Sequence, residues 1–223
     1  MSGNVINNLK AFPNVETWHM KNDNAIYKTR FVDEKTNQML VRVDKGEDNV
    51  DRISKSRFND VMNIFKPDAI IISDYNKGFV NEEDIEYIVN SHNEVIIDTK
   101  KLLGEWALNA KFIKLNEYEY KASKHLIKAL ALEDQLLITL GGKGTQYRGK
   151  IIPVDKVQVK DQTGAGDTFV AAFTVSYLEE KIMGKITSSE INIESCIGYA
   201  NKCARSVVLK RGVGILDLND TLD

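Results

Sequence analysis

The residues best suited to chemistry lie in one stretch, Asp161-Gln162-Thr163-Gly164-Ala165-Gly166-Asp167-Thr168-Phe169. Three small residues, Gly164, Ala165 and Gly166, precede an acid, Asp167. An apolar, helix-forming run from Phe169 to Leu178 follows. A glycine-rich turn that opens a helix leaves backbone N–H groups unpaired, and the helix dipole adds partial positive charge there. Small side chains let an oxyanion approach that backbone closely. The expected chemistry is an anion hole at Gly164, Ala165 and Gly166. Asp167, in the first turn, would take a proton from a hydroxyl as phosphate moves. The plainer alternative is a loop followed by a helix with an N-terminal acid.

Such a turn needs strands and helices to hold it. Ala69–Asp74, Glu94–Asp98, Phe112–Asn116 and Gln135–Leu140 are short apolar runs, the pattern of buried parallel strands. Helices are expected near 58–65, 81–91, 117–132, 167–182 and 188–210. Shorter strands are expected within 145–159 and a last one near Ile215. Alternation of strand and helix implies an α/β layer with helices on both faces. Ligands bind at the carboxyl ends of such strands. Ser73, Asp74, Asp98, Asn116, Thr139 and Gly141 stand there. Upstream, residues 2–9 read as a short helix. Tyr27–Asp33 and Gln38–Asp44 read as a hairpin joined by Glu34-Lys35-Thr36-Asn37, with residues 14–44 extended overall. Residues 44–51 read as a polar connection.

The 223 residues allow one domain, with or without a small appendage. Hydrophobic content of 43% and charged content of 28% are ordinary for a soluble chain. A net charge of −2 and a pI near 6.0 argue against a nucleic-acid or membrane-surface role. No apolar run reaches membrane-span length, and Met1–Lys10 does not read as a signal peptide. Cys196 and Cys203 would sit about 10 Å apart along one helix. That is too far for a disulfide, so reduced thiols and a cytoplasmic location are expected. His19, His92 and His125 show no metal-ligand spacing.

Asp161–Phe169 resembles the C-terminal signature of the ribokinase-like (PfkB) carbohydrate kinases. Asn116-Glu117-Tyr118-Glu119 resembles that family's Asn-x-x-Glu motif. Thr139–Gly144 is similar to its Thr-Leu-Gly-x-x-Gly nucleotide turn. Ser73-Asp74-Tyr75-Asn76-Lys77-Gly78 resembles the D-glycero-beta-D-manno-heptose-7-phosphate kinase branch, and Asp98-Thr99-Lys100 its Asp-Pro-Lys. Arg42-x-Asp44 is similar to its lid strand. The resemblance runs from about residue 26 to 216.

It implies a three-layer, mostly parallel fold. The kinase core would comprise 1–13 and 45–223, and a β-hairpin lid residues 14–44. It implies transfer of the ATP γ-phosphate to a sugar hydroxyl with Asp167 as base. Asn116, Glu119, Thr139, Gly141, Gly144 and Asn201 would bind nucleotide. Mg2+ would be organised by Asn116 and Glu119, partly through water. Asn4, Ser73, Asp74, Lys77, Asp98 and Arg42 would meet the sugar or its phosphate, with Lys77 facing a phosphate on either substrate. A heptose 7-phosphate on the route to ADP-heptose and lipopolysaccharide precursors is the implied acceptor, and a homodimer through the lid strands the implied assembly.

Two departures stand out. Gln162 replaces the usual small or β-branched residue. The family's opening strand, with its sugar-binding Asp, has no counterpart ahead of Ser2-Gly3-Asn4-Val5, and residues 11–26 are shorter than the family's stretch. The ATP half is complete and the sugar half is not. Three readings follow: an active kinase with a trimmed sugar site, a nucleotide-binding relic, or one fragment of a split kinase.

Overall fold

In the computed structural model, which describes residues 2–24, 26–36, 38–47 and 50–221, the four apolar runs become adjacent parallel strands. These are β3 (Ile70–Asp74), β4 (Val95–Thr99), β5 (Phe112–Asn116) and β6 (Leu136–Thr139). β7 (Thr145–Tyr147) and β8 (Lys150–Ile152) extend the sheet antiparallel, giving six strands in the order β3 to β8. Register pairs Ser73 with Asp98, Asp98 with Lys114, and Asn116 with Thr139, which aligns the polar carboxyl ends.

Strand alternation divides the core into two layers. Ile96, Phe112 and Leu137 pack against α1 (Ser2–Leu9), α5 (Ala165–Thr187) and α6 (Ile193–Val208). Val95, Ile97, Ile113, Leu115 and Ile138 pack on the other side, with α2 (Lys55–Phe65), α3 (Glu82–Ser91) and α4 (Glu117–Ala129). The result is the three-layer, mostly parallel α/β arrangement. α5 is the most deeply seated helix. Phe169, Phe173 and Tyr177 form an i, i+4 stack on it, and Phe112 meets Phe173 edge-on at 5.0 Å. Each such ring contributes about 1.5–3 kcal/mol when fully buried. Cys196 and Cys203 are buried free thiols.

β1 (Tyr27–Val32) and β2 (Met39–Lys45) form a separate two-stranded antiparallel ribbon. Asn37 of its expected turn, and Asp48 and Asn49 of the connection after it, lie outside the described residues. The described part of 14–26 is irregular rather than extended into strand.

The short strands expected within 145–159 are β7 and β8, and strand structure stops at Ile152, because Pro153 has no N–H to continue a ladder. One expectation fails. No strand forms near Ile215 among the described residues. The Leu216 amide instead donates to Asn8 Oδ1 at 2.9 Å, and a short 3-10 turn spans Leu218–Thr221.

Candidate active site

The glycine turn forms the N-terminus of α5. Gly164 is its N-cap, with φ +95. A Cβ there would lie 2.8 Å from Asn4 Nδ2 and 3.2 Å from the Gly214 carbonyl oxygen, so glycine is required twice, by conformation and by space. The Ala165 amide is turned to the Gln162 carbonyl at 3.3 Å. The amides of Gly166 and Asp167 take no partner among the described residues. They are the open donors of the first turn.

Asp167 is buried, 3% exposed, with both oxygens engaged. Asn4 Nδ2 donates to one at 3.0 Å and the Tyr75 hydroxyl to the other at 3.0 Å. Burial raises the Asp167 pKa above its ordinary value, the negative charge of Asp98 adds to this, and the two hydrogen bonds oppose it. The Tyr75 phenol is pushed up, first by its own burial and then by Asp167. Each carboxylate oxygen keeps a further lone pair for a substrate hydroxyl.

α1 delivers Asn4. Asn8 fixes that helix by donating to the Asn4 carbonyl at 2.7 Å and accepting from Thr168 Oγ1 at 3.0 Å. The turn after β3 delivers Tyr75. Asp74 Oδ1 accepts from the Asn76 amide at 2.8 Å, and Asn76 sits at φ 54. Asp74 itself points to the opposite sheet face from Ser73. Its other oxygen takes Thr99 Oγ1 at 2.9 Å and Lys101 Nζ at 2.9 Å. Asp74 thus builds the turn, and like Ser73 it lines the cleft that holds Asp167. Ser73 Oγ, on the α5 side, is buried without a partner, an orphan that a ligand would satisfy.

Lys114 escaped the sequence reading, which took it as part of an apolar strand. It shares a sheet face with Phe112 and lies under α5. Its Nζ pairs with Asp98 Oδ1 at 3.2 Å, with both side chains 5% exposed. It stands 2.9 Å from where a Gly166 Cβ would be, which places a buried cation against the open amides. A lysine inside a buried parallel strand was the available signal.

Asn116 and Glu119 close the other side of the site. They form a capping box at the start of α4. Asn116 Oδ1 accepts from the Glu119 amide at 2.9 Å and Glu119 Oε2 from the Asn116 amide at 2.8 Å. Asn116 Nδ2 and Lys100 Nζ both donate to Glu119 Oε1. Lys100 also lies over the Tyr75 ring, 5.5 Å from its centroid. Beyond β6, Gly141 (φ 58) and Gly144 (φ 98) shape the nucleotide turn, and a Cβ on Gly144 would run into the Ile152 carbonyl. Thr139 Oγ1 donates to the Leu115 carbonyl at 3.3 Å. Asn201 is buried and spends its amide inside the protein, accepting from Thr145 Oγ1 at 2.7 Å and donating to the Ile152 carbonyl at 3.0 Å. It braces the strands under the nucleotide turn.

Arg42 pairs with Asp44 at 3.0 Å on the ribbon and does not line the cleft that holds Asp167. Its cross-strand partner Arg30 does, with Lys28, Glu47 and Lys77. That cleft is about 1540 Å³.

The donor set suits a nucleotide with magnesium. Open amides, a buried ammonium and glycine turns fit phosphate oxygens. Among the described residues no three His, Cys, Asp or Glu side chains converge. Asn116 and Glu119 carry oxygen atoms of the kind magnesium takes directly or through water.

Residues 14–220 match the pfkB family carbohydrate kinase description.

The chain belongs to the pfkB carbohydrate kinase family.

The bifunctional protein HldE of Helicobacter acinonychis (strain Sheeba) is 30% identical over 218 aligned positions, covering 86% of this chain and 44% of the relative. HldE of Helicobacter pylori (strain Shi470) is 30% identical over 244 positions, covering 96% and 50%. The chain thus spans about half the length of these curated relatives. Among solved structures, phosphofructokinase-2 from Escherichia coli superimposes with a TM-score of 0.63 at 16% identity, covering 93% of this chain and 72% of that one. A ribokinase from Thermotoga maritima gives 0.57 at 19% identity, covering 87% and 67%. The fold is ribokinase-like. No helix among the described residues is long and apolar enough to cross a membrane.

Proposed function

We propose that the chain transfers the γ-phosphate of ATP to a hydroxyl of a sugar phosphate, a heptose 7-phosphate before others. The observation that carries this is Asp167, a buried carboxylate oriented by Asn4 and Tyr75 beside two open amides and the Lys114 ammonium. A carboxylate adds no attraction to a bound phosphate, since like charges repel. Its place there suits proton abstraction. The acceptor O–H proton passes to Asp167 as that oxygen bonds to the γ-phosphorus and the bond to ADP breaks. Lys114 and the Gly166 and Asp167 amides offset charge on the transferring group. Asn116 and Glu119 would hold magnesium through water, where it would draw the phosphate oxygens together and neutralise their charge. Ser73, Asp98 and Asn4 would orient the sugar, and Asp74 and Asn201 would act through the turn and strands they brace. The ribbon would serve as a lid. Its outer face, with Tyr27, Phe31, Val41 and Val43 exposed, would pair with a second copy.

The test is Asp167→Asn. General-base assistance is typically worth about 10²–10⁴ in rate, so phosphorylation should fall by at least about 100-fold with Mg-ATP affinity kept or slightly raised. Equal activity would remove the base assignment. Ribose and fructose phosphates serve as acceptor controls.

The open edge of β3 favours a second reading. β3 ends the sheet with one side unpaired among the described residues, and Ile70 and Ile71 are only half-buried there. A strand from elsewhere would complete it, and turnover would then require that strand. Mg-ATP binding without turnover by the chain alone, restored by an added strand segment, would support this second reading.

A further inference from the structure

The Tyr75 hydroxyl reaches Asp167 from a turn that its own backbone does not favour. Asn76 sits in the left-handed region, at φ 54, which residues other than glycine take at a cost. A turn of that kind keeps its shape where its surroundings fix it. Here the segment after β4 does so. The Lys100 amide donates to the Asp74 carbonyl at 3.0 Å. Thr99 Oγ1 donates to Asp74 Oδ2 at 2.9 Å and accepts from the Lys101 amide at 3.0 Å. Lys101 Nζ then closes the turn from outside, 2.9 Å from Asp74 Oδ2 and 2.8 Å from Asn76 Oδ1. The Lys101 side chain is 9% exposed and that of Asp74 3%, so this cation is engaged by the two residues that flank Tyr75. Lys101 stands one position beyond Asp98-Thr99-Lys100 and does not line the cleft that holds Asp167, whereas Asp74 and Tyr75 do.

We propose that Lys101 is a positioning residue for the catalytic base: by clamping Asp74 to Asn76 it holds the Tyr75 hydroxyl on Asp167. The inference rests on the kinase reading above and adds to it a residue that touches no substrate. Asp167 is faced by Asn4 from α1, by Tyr75 from this turn, and by the charge of Asp98 on β4, which Lys114 of β5 pairs. Of these, Tyr75 is the group whose place depends on Lys101. Its hydrogen bond favours the charged carboxylate, the form that accepts a proton. Loosening the clamp would let the phenol leave Asp167 Oδ1. The carboxyl would then hold its proton to higher pH and lose one of the two contacts that orient it. A lysine suits the task because one ammonium supplies donors to both oxygens at once. Its burial costs desolvation, which the pair with Asp74 offsets.

The test is a carbon-13 NMR titration of the Asp167 carboxyl in the full chain without substrates, the signal being identified by its loss in Asp167→Asn. Lys101→Met should raise the Asp167 midpoint, by no more than Tyr75→Phe does. Added to Tyr75→Phe, it should move the midpoint no further. Lys101→Arg keeps donors for both oxygens and should restore the unmodified midpoint. Lys101→Met alone strands the Asp74 carboxylate, so Lys101→Met with Asp74→Asn is titrated beside it and should give the same rise with no unpaired charge. In turnover, loss of one hydrogen bond to the base corresponds to a fall in kcat of about 2–10-fold, with the KM for Mg-ATP unchanged. An unmoved midpoint in both clamp variants would overturn the inference. So would an equal further rise in the Tyr75→Phe background, which would make Lys101 a charge acting on Asp167 directly. The titration needs no turnover. An inactive chain would therefore remove the kinase reading with this linkage still measured, and an unmoved midpoint would leave the kinase reading standing.

Discussion

Lys114→Met removes the buried cation that the structure sets against Asp98. The two groups are 3.2 Å apart with 5% of each side chain exposed, so the remaining carboxylate would be charged, dry and unpaired. Breaking such a pair costs about 3–5 kcal/mol. For a chain of this size that corresponds to a fall in Tm of roughly 6–20 °C, at about 2–4 °C per kcal/mol. Adding Asp98→Asn removes the stranded charge, and the double variant should recover most of the loss. Catalysis should not recover with it. The Nζ that lies against Gly166 is absent in both variants. A hydrogen bond to a charged group is worth about 1.5–3 kcal/mol, so phosphoryl transfer should fall by about 10–150-fold. Asp98→Asn alone is the reference for rate, since Asp98 has its own proposed contact with the sugar. Scanning calorimetry reads the first effect, and ADP formation with the acceptor reads the second. A Lys114→Met Tm within about 2 °C of the unmodified chain would mean that the pair is not the buried couple described here. A double variant as fast as Asp98→Asn alone would reduce Lys114 to a structural part.

Two further outcomes follow from the geometry. Gly144→Ala forces a side chain into φ 98 and against the Ile152 carbonyl, so urea denaturation should show a loss of about 1–3 kcal/mol and nucleotide affinity should drop, with unchanged values contradicting the turn. The pH–rate profile should rise as Asp167 loses its proton, at a pH above that of an ordinary aspartate. Tyr75→Phe removes a hydrogen bond that favours the charged form and should move this limb to higher pH, whereas a shift to lower pH would contradict the assigned contact.

Local pattern in the chain determined much of this protein. Apolar runs bounded by polar ends marked β3 to β6, because a strand buried on both faces can carry few polar groups. Gly164 to Asp167 marked the anion turn, because few other residues allow that backbone and approach. Asn116 and Glu119 were legible as a pair through their resemblance to the family's Asn-x-x-Glu motif, and the structure shows that spacing as a reciprocal capping box. What the sequence left open was decided by packing. Which sheet face Ser73 and Asp74 each take was not legible, and the structure ties the Asp74 carboxylate to Thr99 and Lys101 while leaving Ser73 Oγ unpartnered. Lys114 became part of the site because its sheet face receives α5. Tyr75 and Asn4 meet Asp167 across 92 and 163 residues, and no local rule links them. The segment at Ile215 is apolar enough for a strand, yet its Leu216 amide is held by Asn8 on α1, 208 residues earlier. Periodicity tells which side chains share a face. Only the assembled layers decide what that face meets, because the contact energy depends on shape and burial between elements far apart in the chain.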